Sequence, residues 1–263
     1  MKLSISNIAW DGAVDEQMYE IMSSLGFSGL EIAPTRIFGT TPYEDLQKVS
    51  EWYDSISRRF VIPSMQSIWY GRKENLFGSD DEREALLEYT RKAILFAQTV
   101  HCNNLVFGCP RNRNNSEGKD DQIAVEFFKE LGAYAMEHST VIGIEANPPI
   151  YNTNFLNTTK EALDFIERIG SPGVKLNLDT GTMIQNEEDI SVFAGRESYI
   201  NHVHISEPGL ADIQIRSLHK DLMDMLNRIG YESFVSIETG KHDELTSLID
   251  TMSYVRKVFG DNA

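Results

Sequence analysis

The sequence predicts an α/β protein folded as one (βα)8 TIM barrel over residues 1–263, and three observations carry that expectation. Short apolar runs alternate along the whole chain with helical patterns, giving eight strand and helix pairs. The length of 263 residues allows about 33 per unit, and a barrel of this kind typically takes about 250. Helices end repeatedly in an apolar residue followed by glycine, at Leu25-Gly26, Ile169-Gly170 and Ile229-Gly230, as a repeat of one supersecondary unit would. A doubly wound open sheet is the rival, but no G-x-G-x-x-G follows the first strand and the most chemically active residues lie on the late strands.

The elements follow in order. Leu3 to Ile8 alternates apolar and polar residues and reads as a strand, with a helix from about Asp15 to Leu25. Gly29 to Ala33 is the second strand; Thr41-Pro42-Tyr43-Glu44 supplies an N-cap, a first-turn proline and a capping-box glutamate for a helix to about Arg59. Val61 to Ile68 is the third strand, and Ser79 to Glu82 is a second capping box, before a helix with Leu86, Leu87, Ala93, Ile94 and Ala97 on one face. Leu105 to Gly108 is the fourth strand, followed by the loop Pro110 to Gly118 and a helix from about Asp121 to Glu137. Val141 to Glu145 is the fifth, with Thr158 to Glu161 capping its helix. Lys175 to Asp179 is the sixth, expected to turn on Gly181 and to lead to a short helix near Glu187 to Phe193. His202 to Ser206 and Phe234 to Glu238 are the last two strands, each with an amphipathic helix behind it.

Four consecutive strands end alike. Glu145, Asp179, His204 and Glu238 each stand near the far end of an apolar run rich in β-branched residues. Their spacings of 34, 25 and 34 residues are those of successive βα units. In a closed barrel the C-terminal ends of the strands meet at one face, where catalytic residues gather. Taken singly, each residue is an ordinary strand-end group; the recurrence carries the inference. Three carboxylates and an imidazole without a thiolate suit one divalent ion of the Mn²⁺, Co²⁺, Mg²⁺ or Zn²⁺ type. Such a cation also holds clustered carboxylates ionised.

Composition narrows the function classes. A net charge of −16 argues against a surface for a phosphate backbone, so no nucleic-acid partner is expected. The longest uncharged span, Ala93 to Pro110, is broken by polar residues and is no membrane segment. Met1-Lys2 leads straight into a strand-like run without a long apolar core or cleavage site, so a cytoplasmic location is the expectation. Cys102 and Cys109, the two cysteines, flank a strand-like run; about 3.3 Å per residue holds them about 23 Å apart, and free thiols are expected.

The segments Ile144-Glu145-Ala-Asn147, Leu178-Asp179-Thr-Gly181, His202-Val-His204-Ile-Ser206-Glu207-Pro208 and Gly230-Tyr231 through Glu238 resemble the xylose isomerase-like TIM barrels, the group of sugar phosphate isomerases and epimerases that includes ketose 3-epimerases and inosose dehydratases. The resemblance implies that Glu145, Asp179, His204 and Glu238 bind one divalent metal. It also implies that Glu145 and Glu238 are the catalytic pair, moving protons at the carbon beside the carbonyl of a small sugar or sugar phosphate. Physically, a carboxylate on each side of the sugar plane removes and returns a proton while the ion stabilises enediolate charge. Thr182 and Tyr151 stand where ketose 3-epimerases usually carry a histidine and a glutamate. Asn147, Tyr151, Asn154 and Glu207 are therefore the candidate substrate contacts. Family members are often homo-oligomers, though no segment identifies an interface.

The residues themselves add weaker candidates. Arg111 and Arg113 in the fourth βα loop suit a bidentate clamp on phosphate or carboxylate, or belong to a solvated loop. Trp10 and Trp69, with Tyr70, suit an apolar wall for a sugar ring, or core packing. Glu31 and Gln66 fall at strand ends and are candidates to back the site or ordinary strand-end groups, and His202, on the same side of its strand as His204, either crowds the barrel interior or helps orient the site. The reading is a metal-dependent sugar isomerase or epimerase. Its rivals are a dehydratase using the same metal and base, a sugar-binding barrel without turnover, and a repair endonuclease, which six histidines and the acidic charge disfavour.

Overall fold

In the computed structural model, which describes residues 1–260, seven parallel strands form a sheet in the order β2-β1-β7-β6-β5-β4-β3. They are β1 (Lys2–Ser6), β2 (Gly29–Glu31), β3 (Leu105–Phe107), β4 (Ile142–Ile144), β5 (Val174–Asp179), β6 (Ile200–Ile205) and β7 (Phe234–Ile237). The expected third strand joins β2 to β3 only through single bridges, Gly29 with Val61, Ile32 with Met65, and Met65 with Leu105. Pro63 lies in its middle without an N–H to donate, so a regular ladder cannot run through it. The barrel nevertheless closes there, because Met65 donates to Asn104 O at 2.9 Å and Val106 to Met65 O at 2.8 Å. Residues 261–263, included in the single-domain expectation, lie outside the described residues.

The helices are α1 (Asp15–Ser24), α2 (Pro34–Phe38), α3 (Leu46–Ile56), α4 (Asp80–Thr99), α5 (Gln122–Glu137), α6 (Thr159–Ile169), α7 (Thr180–Gln185), α8 (Ser217–Arg228) and α9 (Leu245–Phe259). Both later capping boxes form: Ser79 with Glu82, and Thr158 with Glu161. The earlier one does not. Thr41 to Glu44 makes a turn, and α3 starts one turn later on Asp45, whose side chain accepts from Lys48 N. The cause is Tyr43, 4% exposed, whose hydroxyl donates to Ile68 O; burying that ring keeps its segment off the helix axis. Glycines 26, 170 and 230 all take positive φ after their helices, the conformation that favours glycine. Both cysteines are free.

After Asp179 the expected turn is replaced by α7, with Asp179 as its cap through Thr182 N at 2.7 Å. Gly181 is needed there for close approach: a Cβ would lie 2.7 Å from Ser206 Oγ and 3.1 Å from a Glu207 backbone carbon. The helix expected near Glu187 to Phe193 reduces to a 3-10 turn at Ile190–Phe193.

Apolar residues of the strands and inward helix faces fill the layer between sheet and helices. The inside of the barrel is unlike that layer. Ser4, Ser6, Glu31, Ser64, Gln66, Asn104, Asn177, His202, His204 and Ser236 are all at most 5% exposed. Because side chains alternate across a strand, Asn177 joins Asp179 on one side of β5, and His202 joins His204 on one side of β6. Polar groups so deeply buried require partners, and Ser6, Glu31, Ser64, Gln66, Asn104, Asn177, His202 and His204 find one another below the site, while the Ser4 and Ser236 hydroxyls have no hydrogen-bond partner among the described residues. Among the described residues no helix is long and apolar enough to cross a membrane.

Candidate metal and catalytic site

Register brings the four strand-end residues together. Asp179 lies beside His204 across β5 and β6, and His204 beside Ser236 across β6 and β7. Glu145 and Glu238 follow β4 and β7 by one residue and stay in the ladder, their N–H groups donating to Phe107 O at 3.1 Å and Ile205 O at 3.0 Å. One ligand atom from each of Glu145, Asp179, His204 and Glu238 lies within 4.8 Å of the others. His204 Nδ1 is 3.1 Å from Glu145 Oε1 and 3.1 Å from Glu238 Oε2. Glu145, Asp179 and Glu238 line one wall of a cavity of about 860 Å³, and His204 is fully buried against two of them.

Glu145, Asp179 and His204 are each held from outside the cluster. Glu31, 0% exposed, places one oxygen 2.9 Å from His204 Nε2 and 3.0 Å from His202 Nε2. A carboxylate on Nε2 fixes that nitrogen as the donor and turns Nδ1 towards the Glu145 and Glu238 carboxylates. Gln66 donates to Glu31 Oε1 and to Ser6 Oγ. Asn177 Nδ2 donates to Glu145 Oε1 at 2.7 Å, and Asn147 Nδ2 to Glu145 Oε2 at 3.2 Å. Asn177 is positioned in turn by Asn104, and Asn104 by Asn201. Asp179 accepts from Ser206 Oγ and Thr182 N.

The charge balance of the cluster suits a cation. Burial pushes the Glu238 carboxyl up to about 7, and Glu145 and Asp179 add to the rise against the pull of His204. Asp179 is raised by burial and by Glu145. Burial would lower His204, but Glu31, Glu238 and Glu145 hold it well above its ordinary value. The protein without an ion therefore keeps protons where a divalent cation would supply the positive charge. Donor set, convergence and the fixed Nδ1 all fit one divalent ion.

Gly108 makes room for this arrangement: a Cβ there would lie 2.7 Å from Glu145 Oε2 and 3.3 Å from Asn147 Oδ1. Gly108→Ala is therefore expected to displace the Glu145 carboxylate and weaken binding of Mn²⁺ by about tenfold or more, the scale of lost support behind a ligand. A calorimetric titration checks this, and unchanged affinity would show that Glu145 does not bind from its present position.

The other expected contacts divide. Asn147, Tyr151, Arg111 and Trp69 line the cavity. Trp69 is only 1% exposed, with its ring packed on Phe107 and Phe127 and its indole N–H on Thr90, so core packing accounts for most of it. Trp10 lines a neighbouring cavity instead. Asn154 is outside, exchanging hydrogen bonds with the Asn115 backbone across two loops. Glu207 is 3% exposed and faces Arg216, at 2.6 and 2.5 Å. Arg113 is not part of an anion clamp: fully buried, it donates to the carbonyls of Phe107, Glu145 and Leu156 and to Asn147 Oδ1. Asn177, Ser206 and Gly108 were not singled out from the sequence. Alternation along β5 is the signal that places Asn177 beside Asp179.

A model of the xylose isomerase-like TIM barrels matches residues 19–258. The chain belongs to that family. Within it, a D-psicose 3-epimerase of Enterocloster bolteae is 31% identical over 118 residues, 43% of this chain and 39% of that protein. The chain thus matches well under half the length of this curated relative. A D-psicose 3-epimerase of Clostridium cellulolyticum H10, solved with D-tagatose, superposes with a TM-score of 0.80 at 18% identity, covering 98% of this chain and 99% of that one. The IOLI protein, solved with a bound zinc atom, superposes with a TM-score of 0.73 at 15% identity over 98% and 99% of the two chains. At such identities the solved structures bear on the xylose isomerase-like fold alone.

Proposed function

We propose that this chain is a divalent-metal-dependent isomerase or epimerase acting on a small sugar or sugar derivative, by proton abstraction beside a carbonyl. The observation that carries the reading is the pair of buried glutamates, each 3.1 Å from the same imidazole nitrogen, at the wall of a cavity large enough for a sugar. Glu145, Asp179, His204 and Glu238 would hold the ion. When bound, the ion polarises the substrate carbonyl and stabilises negative charge on its oxygens. Glu145 and Glu238 are the proton carriers, one removing a proton from carbon and the other returning one. Asp179, capping α7, and His204, fixed by Glu31, serve as ligands.

The same carboxylates suit expulsion of a β-hydroxyl as water, for which Tyr151 offers a hydroxyl in the cavity whose proton is retained, burial pushing it up to about 12. Product mass decides between the two, since isomerisation leaves it unchanged. The experiment that tests the main reading is incorporation of solvent deuterium from D₂O into a panel of ketoses and aldoses, with Mn²⁺ or Co²⁺ supplied. Metal-dependent exchange supports it; a metal-loaded protein exchanging on no sugar overturns it.

Metal binding should depend on pH with a defined sign. Glu238 titrates near 7 in the ion-free protein against a usual value of 4.5, so protonated Glu238 stabilises that protein below pH 4.5, and the contribution is lost as pH rises through 7. Mn²⁺ affinity should move oppositely, rising by up to about tenfold per pH unit as the proton leaves. Calorimetry in buffers of different ionisation enthalpy checks it through the protons released.

A further inference from the structure

A second cavity, of about 640 Å³, lies beside the catalytic one and shares Ser67, Tyr70, Gly71 and Arg72 with it. Its lining contains three cations, Arg36, Arg72 and Lys241, against one acidic residue, Asp11. That excess is opposite to the chain's net charge of −16 and to the carboxylate wall next door. From these facts, and resting on the function proposed above, we infer that the second cavity binds the anionic distal group of the substrate. That group is a phosphate ester or a carboxylate on a sugar whose reacting carbons lie at Glu145 and Glu238.

The three cations come from three segments that follow strands on the catalytic face: Arg36 from the short helix α2 after β2, Arg72 from the loop after the bridged segment and Lys241 from the loop after β7. Arg36 is prepared in advance. Its guanidinium holds Asp15 Oδ1 at 2.6 Å and the Trp10 carbonyl at 3.3 Å, and stands 5.4 Å from the centre of the Trp10 ring. A guanidinium already fixed in place loses little freedom on meeting an anion. Gly12 leaves it uncovered, for even a Cβ there would stand 3.9 Å from Nη2. Arg72 is steadied by the Tyr89 ring at 4.7 Å and by Glu74. Lys241 Nζ gives one contact to Asp11 at 2.7 Å, and an ammonium has three donors. The Lys241–Asp11 pair, 52% and 57% exposed, is weak, so an incoming phosphate or carboxylate can recruit that ammonium without first breaking a strong contact. Tyr70, 70% exposed, lines both cavities and offers an aromatic face for the part of the substrate between them. The anion site expected at Arg111 and Arg113 thus lies elsewhere on the same face, since the Arg113 guanidinium is already engaged by protein acceptors.

The test is a binding titration of the Mg²⁺-loaded protein at low ionic strength with D-fructose, D-fructose 6-phosphate, D-fructuronate and the neutral ketose disaccharide lactulose. The expected result is that at least one anionic sugar binds about tenfold tighter than fructose, with lactulose no tighter than fructose. In an R72Q/K241Q double variant that preference should shrink to within about twofold, and circular dichroism should confirm its fold. Should the double variant fail to fold, K241Q alone, at a side chain 52% exposed, should still lower the preference about threefold. Whichever anionic sugar binds tighter identifies phosphate or carboxylate as the group. Lactulose binding tightest, or an anion preference unchanged in the variants, overturns the inference. Deuterium exchange in the same samples keeps the two readings apart. Exchange without anion preference removes this subsite and leaves the proposed reaction; anion preference without exchange does the reverse.

Discussion

Glu238→Gln should lower solvent-deuterium exchange by about 10³-fold, the scale of losing a positioned acid or base, while the protein remains folded. The amide keeps the shape and an oxygen near His204 Nδ1, but it carries no charge for the ion and cannot take up a proton. Folding should survive for a reason particular to this site. Glu238 is raised to about 7, so above that pH its charge is a burden on the ion-free protein. The ion-free variant should therefore melt no lower than the parent at pH 8, and its Mn²⁺ affinity should fall. Near-normal exchange in this variant would falsify the assignment of Glu238 as a proton carrier.

Glu31→Ala should have the next largest effect, although Glu31 belongs to neither the expected ligand set nor the catalytic pair. It is the acceptor for two buried imidazoles, His202 at 3.0 Å and His204 at 2.9 Å. Its carboxyl is held far below the usual range because the two histidines outweigh the cost of burial. Removing it frees His204 to carry its proton on Nδ1, the nitrogen the ion needs. Mn²⁺ affinity should drop by about 10- to 100-fold. Leaving two buried N–H groups unpartnered should also cost about 1 to 3 kcal/mol for each, read as a lower melting temperature. Glu31→Gln, which restores an acceptor but no charge, should recover part of the stability and less of the affinity. Equal affinity in all three proteins would show that Glu31 does not orient His204.

The site's geometry was legible in the sequence to the extent that it follows from strand periodicity. Glu145, Asp179, His204 and Glu238 converge because each ends a strand and neighbouring strands share a register, both of which are local or repetitive properties. The capping boxes at Ser79 and Thr158 were legible for the same reason, being complete within four residues. Arg113 was not. Its partners at Phe107, Glu145, Asn147 and Leu156 are up to 43 residues away, and only the folded chain brings four acceptors around one guanidinium. Thr41 shows the opposite failure: its local capping signal was sound, but burial of Tyr43 overrode it. The cationic cavity gathers Arg36 from α2 and Arg72 and Lys241 from two loops, segments that share no periodic signal, so nothing short of tertiary structure assembles it.

The broken ladder at Pro63 bears on which part of the barrel wall can be remodelled. β4 to β7, which carry the four strand-end residues, form an unbroken run of paired strands, so the chemistry rests on the stiff half of the wall. Across the barrel, the segment between β2 and β3 is joined by single bridges, a seam that opens at lower cost than a ladder. Ser67, Tyr70, Gly71 and Arg72, the partition between the two cavities, hang directly from that seam. Substitutions there can reshape the second cavity without moving Glu145, Asp179, His204 or Glu238. The fold thus sets a rigid four-residue cluster against a partition that can be rebuilt on its own.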